Sequence, residues 1–162
     1  MSITFNETTR IFPLTTAHTT YQMQADVKGY LLHLYYGART AGEMDYLLNY
    51  ADRGFSGNPD SAGSDRTYSL DALPQEYPSL GTGDFRNYAV NIQNGDGSQC
   101  CNPVYISHKI TPGKYALNGL PAVRASEDEA ETLEIILADL LTKVELHLLY
   151  GVLEKEDIIT RS

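Results

Sequence analysis

Two aspartate–arginine pairs offer the clearest chemistry in this 162-residue chain. Asp52-Arg53 and Asp65-Arg66 are separated by a stretch rich in glycine, proline and serine, which favours rigid turns. A carboxylate accepts hydrogen bonds and a guanidinium donates them, so such pairs can present matched groups to a polar ligand. The alternative is that each pair only satisfies its own turn, and the residues by themselves favour that alternative.

Other residue types that carry chemistry lack the spacing that their chemistry requires. The sequence has no Gly-x-Ser-x-Gly motif, and neither cysteine has a histidine beside it, so nucleophilic catalysis finds little support. Cys100 and Cys101 are adjacent, and because a disulfide between neighbours is strained we expect both to be reduced. The histidines are scattered singly, and we therefore expect no metal site. They are His18, His33, His108 and His147.

The charge distribution argues against nucleic acid as a partner. Lysine and arginine number 12 against 21 aspartates and glutamates, a net charge of −9, so no basic surface is expected to attract a phosphate backbone. Residues 127–157 hold ten acidic and two basic residues. The run Glu127-Asp128-Glu129 could supply paired carboxylates for acid–base catalysis, but solvated charge is the simpler interpretation.

Hydropathy along the chain gives no sign of a membrane segment or a secretion signal. No stretch approaches the roughly 18 apolar residues of a membrane-spanning helix, and the first ten residues are polar. The sequence therefore predicts a soluble, cytoplasmic protein with no membrane partner.

The composition is typical of a protein built from short strands and turns. Tyrosine is abundant, with 12 residues, and tryptophan is absent, while threonine, serine and glycine are frequent. Residues 3–5 and 11–14 flank a turn, and residues 21–27 alternate apolar and polar side chains at the period of a strand. Residues 29–37, GYLLHLYYG, form an apolar run that suits a strand covered on both faces. We expect an all-β fold that begins with three strands.

A long polar passage follows, from residue 49 to residue 86, with no regular periodicity. Loops of this length inside a domain are uncommon and are usually functional or mobile. The passage nevertheless carries many apolar and aromatic side chains, which argues for an ordered loop rather than a disordered insertion.

Two further segments are predicted from pattern. Residues 88–93 and 104–110 read as the strands of a hairpin, because the tight-turn sequence Asn94-Gly95-Asp96-Gly97 lies between them. The C-terminal third fits a helical stripe and a pair of strands about equally well, and the pattern alone slightly favours the helix.

Several blocks of the chain resemble the amino-terminal β-domain of bacterial α-galactosidases of glycoside hydrolase family 36. The blocks are DRGFSGNP at 52–59, SDRTYS at 64–69, SLDALPQEYPSLGTGDFR at 69–86, GLPA at 119–122, EAETLEI at 129–135 and ITRS at 159–162. The segments YQMQ and GYLLHLYYG are similar to the opening strands of that domain. The resemblance extends over the whole chain.

The resemblance implies a retaining α-galactosidase that acts on raffinose, melibiose and related α-galactosides in the cytoplasm, without a metal or organic cofactor. In that family a β-supersandwich of galactose-mutarotase-like fold precedes a (β/α)₈ barrel, and the barrel holds both catalytic aspartates. Residues 1–162 would then be the N-terminal portion of the supersandwich, with one long ordered loop. The barrel is absent from this chain, so we expect no catalytic residue here and no hydrolysis by these residues alone.

The same resemblance assigns substrate-binding residues and a partner. In tetrameric members of the family the long loop reaches the active site of a neighbouring subunit and contacts the galactose end of the substrate. By motif, Asp52 would accept hydrogen bonds from sugar hydroxyls, while Arg66 would donate to a hydroxyl or fix the carboxylates of the barrel. Phe55, Tyr68 and Tyr77 would hold the loop in place. We therefore expect a homo-oligomer that shares its α-galactoside between subunits.

Two alternatives stand beside this resemblance, one for the secondary structure and one for the function. The resemblance favours two strands over a helix in the C-terminal third, with a turn near residues 139–143, where Lys143 replaces the glycine usual in relatives. The rival function is a free-standing carbohydrate-binding or structural β-sandwich module without catalysis. Abundant tyrosine without tryptophan disfavours independent sugar binding, because tryptophan presents the larger flat face.

Overall fold

The computed structural model describes residues 2–54 and 57–162, and in them two antiparallel sheets. The first sheet has the order β1-β2-β3 and the second the order β4-β5-β6-β7. Their strands are β1 Ile11–Thr15, β2 Thr19–Ala25, β3 Leu31–Ala38, β4 Val104–Pro112, β5 Ala130–Ala138, β6 Glu145–Leu153 and β7 Ile158–Arg161. The helical content described is two short 3₁₀ turns, Asp45–Leu47 and Asp60–Ala62. The predicted all-β fold is confirmed.

The two sheets bury one face each against the other. Because successive side chains of a strand point to opposite faces, residues two apart share the core. On β5 the inward set is Leu133, Ile135 and Leu137, all essentially inaccessible to solvent. One buried cluster joins these to residues of the first sheet, namely Phe12, Leu14, Met23, Ala25 and Leu31, and to Leu148, Tyr150 and Val152 of β6.

The first half of β3 is covered on both faces, as the apolar run predicted, whereas Tyr36 in the second half is 63% exposed. Leu31 belongs to the core between the sheets. Leu32 points the other way and lies in a second cluster with Tyr68, Leu70 and Leu73 of the long loop. The loop therefore packs against the outside of the first sheet through its own apolar side chains.

The C-terminal third forms strands, so the helix that the pattern favoured is wrong and the strands implied by the resemblance are right. β5 pairs with β6 in a continuous register from Ala130↔Leu153 to Ala138↔Glu145. Leu141, which would belong to a helical stripe, is 89% exposed at the turn between the strands. Lys143 has a backbone φ of 64°. That left-handed conformation suits glycine best, which explains why the turn is weakly marked in this sequence.

The predicted hairpin between residues 88–93 and 104–110 is wrong. β4 pairs with β5 in the sheet, and residues 88–93 contribute one isolated bridge, between Val90 and Ser79. The tight turn itself is present, since the amide of Gly97 donates to the carbonyl of Asn94 over 2.9 Å. A turn sequence specifies local backbone geometry only. It does not determine which strand β4 pairs with, and that strand is β5.

Two further expectations concern the surface. The acidic run Glu127-Asp128-Glu129 is exposed, which confirms solvated charge as its interpretation. No helix in residues 2–54 and 57–162 is long and apolar enough to cross a membrane.

Gly81 is one of the glycines that a close backbone approach requires. Gly81 has a φ of 91°, and a Cβ added there would lie 2.9 Å from the Cα of Cys100. We therefore expect Gly81→Ala to lower the free energy of unfolding by about 1–3 kcal/mol, through backbone strain and steric conflict. Urea denaturation of the two proteins measures this difference.

Gly95 provides the matched control for that substitution. No heavy atom lies within 4 Å of a Cβ added at Gly95, and its φ is not left-handed. Gly95→Ala should therefore leave the urea midpoint nearly unchanged. Equal effects of the two substitutions would contradict the assigned role of Gly81.

Candidate functional site

Asp52 and Arg66, the two residues expected to bind substrate, lie in contact on the surface of the long loop. Nη2 of Arg66 donates to Oδ1 of Asp52 over 3.2 Å. Both side chains remain open to solvent, Asp52 at 50% and Arg66 at 65%. An exposed carboxylate beside an exposed guanidinium presents an acceptor and several donors within the span of one sugar ring.

The residues of the two pairs do not bind their sequence neighbours. Asp52 contacts Arg66, whereas Arg53 lies 3.7 Å from the carboxylate of Asp71. Asp65 accepts hydrogen bonds from the amide and the hydroxyl of Thr67, over 2.9 and 2.7 Å, and these lower the pKa of Asp65. The interpretation that each pair satisfies its own turn therefore holds for Asp65 and only partly for Asp52, which also accepts from the amide of Gly54.

Tyr68 anchors the loop to the turn between β2 and β3. Its hydroxyl donates to the buried carboxylate of Asp26, which also accepts from the amides of Lys28 and Tyr30. Burial and this hydrogen bond raise the pKa of Tyr68, so the hydroxyl stays a donor. The ammonium of Lys28 lies 5.0 Å from the centre of the Tyr68 ring. Tyr68 thus has the packing role expected of it.

Of the other two aromatic residues assigned to hold the loop, one is described. Tyr77 is half-buried against the core between the sheets, and the guanidinium of Arg161 lies 5.4 Å from its ring centre. Phe55 lies outside the described residues.

The long loop returns to the sheets through residues 74–76, here called the return arm. Glu76 joins this return arm to both sheets. Its carboxylate is 2% exposed and accepts hydrogen bonds from Tyr21 of β2 over 2.6 Å, from Tyr150 of β6 over 2.8 Å and from Arg161 of β7 over 3.0 Å. Nδ1 of His33, on β3, lies 3.6 Å from the same carboxylate. One side chain therefore links four strands.

The backbone beside Glu76 continues the first sheet. The Glu76 amide donates to the carbonyl of Leu31 over 2.8 Å, and the His33 amide donates to the carbonyl of Pro74 over 2.7 Å. An isolated antiparallel bridge joins Leu32 to Gln75. The return arm of the loop thus covers the free edge of β3.

The electrostatics of this network favour an ionised Glu76. Burial is the largest influence and by itself would raise the pKa of Glu76. The nearby imidazole of His33, the hydrogen bonds from Tyr21 and Tyr150 and the charge of Arg161 outweigh it and hold the pKa below its usual value. The network is therefore a buried carboxylate satisfied by its donors.

Sequence reasoning missed Glu76 and Asp26. Each is a single acid in a mixed context, and its partners lie up to 85 residues away in the chain, as Arg161 does from Glu76. The one available signal for Glu76 was its place in the QEYPSLGTGDFR block. That block points to importance but does not reveal a buried carboxylate.

The described residues contain no group of three or more histidine, cysteine, aspartate or glutamate side chains arranged to hold a metal ion. Cys100 is exposed and Cys101 buried, and both are free thiols. What the loop offers is hydrogen bonding by Asp52 and Arg66 on a scaffold anchored by Tyr68 and Glu76.

Known proteins with a similar sequence and the same fold identify the chain's relatives. It is 65% identical over 162 residues to the bifunctional alpha-galactosidase/sucrose kinase AgaSK of Mediterraneibacter gnavus, covering 100% of this chain and 17% of that protein. The solved galactosidase domain of AgaSK superposes with a TM-score of 0.96 over 98% of this chain and 22% of its own. The GH36 alpha-galactosidase AgaB from Geobacillus stearothermophilus superposes with a TM-score of 0.92 at 45% identity, over 100% of this chain and 22% of its own.

A third relative has been crystallised with oligosaccharides. The alpha-galactosidase AgaA of Geobacillus stearothermophilus is 45% identical over 168 residues, covering 100% of this chain and 22% of that protein. Variants of AgaA were solved in complex with raffinose and with stachyose, and superpose on this chain with a TM-score of 0.88.

The chain spans about a fifth of the length of these relatives. The family model described as the Glycosyl hydrolase family 36 N-terminal domain matches residues 29–162. The chain belongs to this family, as an N-terminal domain of glycoside hydrolase family 36.

Proposed function

We propose that the chain is the N-terminal, non-catalytic part of an α-galactosidase, and that it lends Asp52 and Arg66 to the substrate site of a neighbouring subunit. The observation that carries the proposal is the exposed Asp52–Arg66 pair on a loop fixed to both sheets. The two side chains contact each other, but most of their hydrogen-bonding groups remain open to solvent.

The substrate class follows from the chemistry of the pair and from the relatives. An ionised carboxylate accepts hydrogen bonds from vicinal hydroxyls, and a guanidinium donates to ring or hydroxyl oxygens. Relatives that are alpha-galactosidases have been crystallised with raffinose and stachyose. Terminal α-galactosyl groups of such oligosaccharides are the proposed ligand, cleaved with retention of configuration in the complete enzyme.

The catalytic groups of that reaction lie outside these residues. Retaining glycosidases need two carboxyl groups about 5–5.5 Å apart on either side of the scissile bond. Asp52 instead faces a guanidinium, and Glu76 is buried among donors. Residues 1–162 therefore supply binding and orientation, and the catalytic barrel of the same protein supplies nucleophile and acid/base.

A homo-oligomer, with a tetramer as the expected state, is part of the proposal. A loop that faces outward from its own sandwich acts on substrate only where another surface comes to meet it. The barrel of a neighbouring subunit is that surface. A cytoplasmic location and a mechanism without a metal or organic cofactor complete the proposal.

The assay for this function compares the intact protein with residues 1–162 alone on a chromogenic α-galactoside and on raffinose. We expect the intact protein to release galactose and the 162-residue chain to release none. An intact protein without α-galactosidase activity, or hydrolysis by the short chain, would overturn the proposal.

A further inference from the structure

Asp84 and Arg86 form a clamp at the base of the long loop. The Asp84 side chain is 2% exposed, and its carboxylate accepts from Nε of Arg86 over 2.9 Å and from Nη2 of Arg86 over 2.8 Å. It also accepts from the Arg86 amide and from Nε2 of Gln75, each over 2.9 Å. This bidentate contact fixes the plane of the guanidinium.

The held guanidinium organises the turn in the middle of the loop. Nη2 of Arg86 donates to the carbonyls of Leu70 and Leu73, over 2.8 and 2.7 Å. Both leucines are fully buried in the cluster outside β3. The clamp thus holds the backbone of residues 70–73 against the sheet. It supplies a donor to the Leu70 carbonyl and a second donor to the Leu73 carbonyl, which also accepts from the amide of Gln75 over 2.9 Å.

That turn contacts the segment that carries the proposed substrate-binding pair. Asp71 lies between the two clamped carbonyls, and its carboxylate is 3.7 Å from Nη2 of Arg53, the residue next to Asp52. The Asp71 carboxylate also accepts from the amide of Phe85, over 3.4 Å. Arg86, held by Asp84, is therefore linked to Asp52 by its bonds to the backbone on either side of Asp71 and by the Asp71–Arg53 ion pair, since Arg53 directly follows Asp52 in the chain.

We infer that Arg86 is a positioning residue for substrate binding: held by Asp84, it fixes residues 70–73, and through Asp71 and Arg53 it orients Asp52 toward the sugar. This inference rests on the proposed function of the Asp52–Arg66 pair. Arg86 acts through the loop, because its Nε and Nη2 are bonded to Asp84 and to the carbonyls of residues 70 and 73.

A double-mutant cycle in the intact protein tests the inference, with Arg86→Lys and Asp52→Asn made singly and together. Lysine keeps the charge but lacks the planar fork, so the carbonyl contacts are lost. We expect Arg86→Lys to lower kcat/KM for raffinose by about three- to tenfold, mainly through KM, and to have almost no effect when Asp52 is already asparagine. Arg124→Lys is the matched control, since Arg124 is exposed and has no ion-pair partner within residues 2–54 and 57–162.

Amide hydrogen exchange gives a readout that does not depend on activity. Arg86→Lys should speed exchange in residues 52–54 and 70–73 while leaving the strands β5 and β6 protected. If Arg86→Lys does not fold, Asp71→Asn replaces it, because it cuts the link to Arg53 and leaves the clamp intact.

The outcomes separate the inference from the function on which it rests. Equal losses with and without the Asp52 substitution would show that Arg86 acts independently and overturn the inference. No loss in Arg86→Lys, with a clear loss in Asp52→Asn, would overturn the inference and leave the proposed function standing. Unchanged kinetics in Asp52→Asn would overturn the proposed function and the inference together, and faster loop exchange in Arg86→Lys would then assign the clamp a structural role only.

Discussion

Replacing Asp52 or Arg66 by alanine in the intact protein should lower kcat/KM for an α-galactoside by about tenfold to a hundredfold. The reason is that a hydrogen bond to a charged group contributes about 1.5–3 kcal/mol, which corresponds to that range of rates. Steady-state kinetics on raffinose measure the loss. Because the two side chains are 3.2 Å apart, the double substitution should lose less than the product of the single losses.

Matched controls for this prediction exist among the exposed residues of the chain. Asp60 is an exposed aspartate of the same loop whose carboxylate accepts no hydrogen bond from the described residues, so Asp60→Ala should leave the kinetics unchanged. Arg124→Ala is the corresponding control for Arg66→Ala. Wild-type kinetics in folded Asp52→Ala and Arg66→Ala variants would show that the pair only shapes its loop.

The second large effect is expected from Glu76→Ala, which should lower the free energy of unfolding by about 3–5 kcal/mol. The substitution leaves the guanidinium of Arg161 without its ion pair and the hydroxyls of Tyr21 and Tyr150 without their acceptor. Urea denaturation of the wild type and the variant measures this loss in the free energy of unfolding. Glu156→Ala, at an exposed glutamate, should change the free energy of unfolding by no more than about 0.5 kcal/mol.

The contribution of Glu76 should also depend on pH. Its pKa is lower in the folded protein than in the unfolded chain, where a glutamate titrates near about 4.3. The stabilisation is therefore fully present above that pH and is lost as the pH falls toward the folded pKa. The difference in unfolding free energy between wild type and Glu76→Gln should shrink as the pH is lowered from 5 to 3.

Other acids do not obscure this comparison. Asp157, whose pKa is held at about 2 by hydrogen bonds from His18 and Thr16, is the same in both proteins, so its effect cancels in the difference. A difference between wild type and Glu76→Gln that stays constant from pH 7 to pH 3 would contradict the assigned ionisation of Glu76.

The elements that the sequence revealed are those whose signal is local. The alternation of residues 21–27 and the apolar run at 29–37 each follow from one strand and its two faces, and both strands are present as β2 and β3. In the C-terminal third the same leucines and isoleucines fit periods of 2 and 3.6. The partner strand decides between them, because Leu133 faces Tyr150 across the sheet. Pattern within one segment cannot contain that information.

The candidate site divides in the same way. Asp52 and Arg66 stood out by type and by motif, but their contact joins residues 14 apart across a loop without regular structure. Glu76 and the clamp of Asp84 and Arg86 depend on donors brought in by distant strands or by the fold of the turn at residues 70–73. The sequence therefore identified the two residues proposed to bind a sugar. The long-range contacts, which the sequence did not reveal, hold the loop that carries them.

The most direct test of loop sharing between subunits is a complementation measurement. Two full-length variants are co-expressed with different affinity tags: one is weakened by Asp52→Ala and Arg66→Ala, and the other is inactivated by replacing its barrel nucleophile with the corresponding amide. Oligomers that carry both tags are then isolated, which confirms that the subunits mix. If the loop serves a neighbouring barrel, random mixing gives a sound loop beside a sound barrel at about a quarter of the sites, and that share of wild-type activity returns. Mixed oligomers with no more activity than the variant that carries Asp52→Ala and Arg66→Ala would contradict loop sharing between subunits.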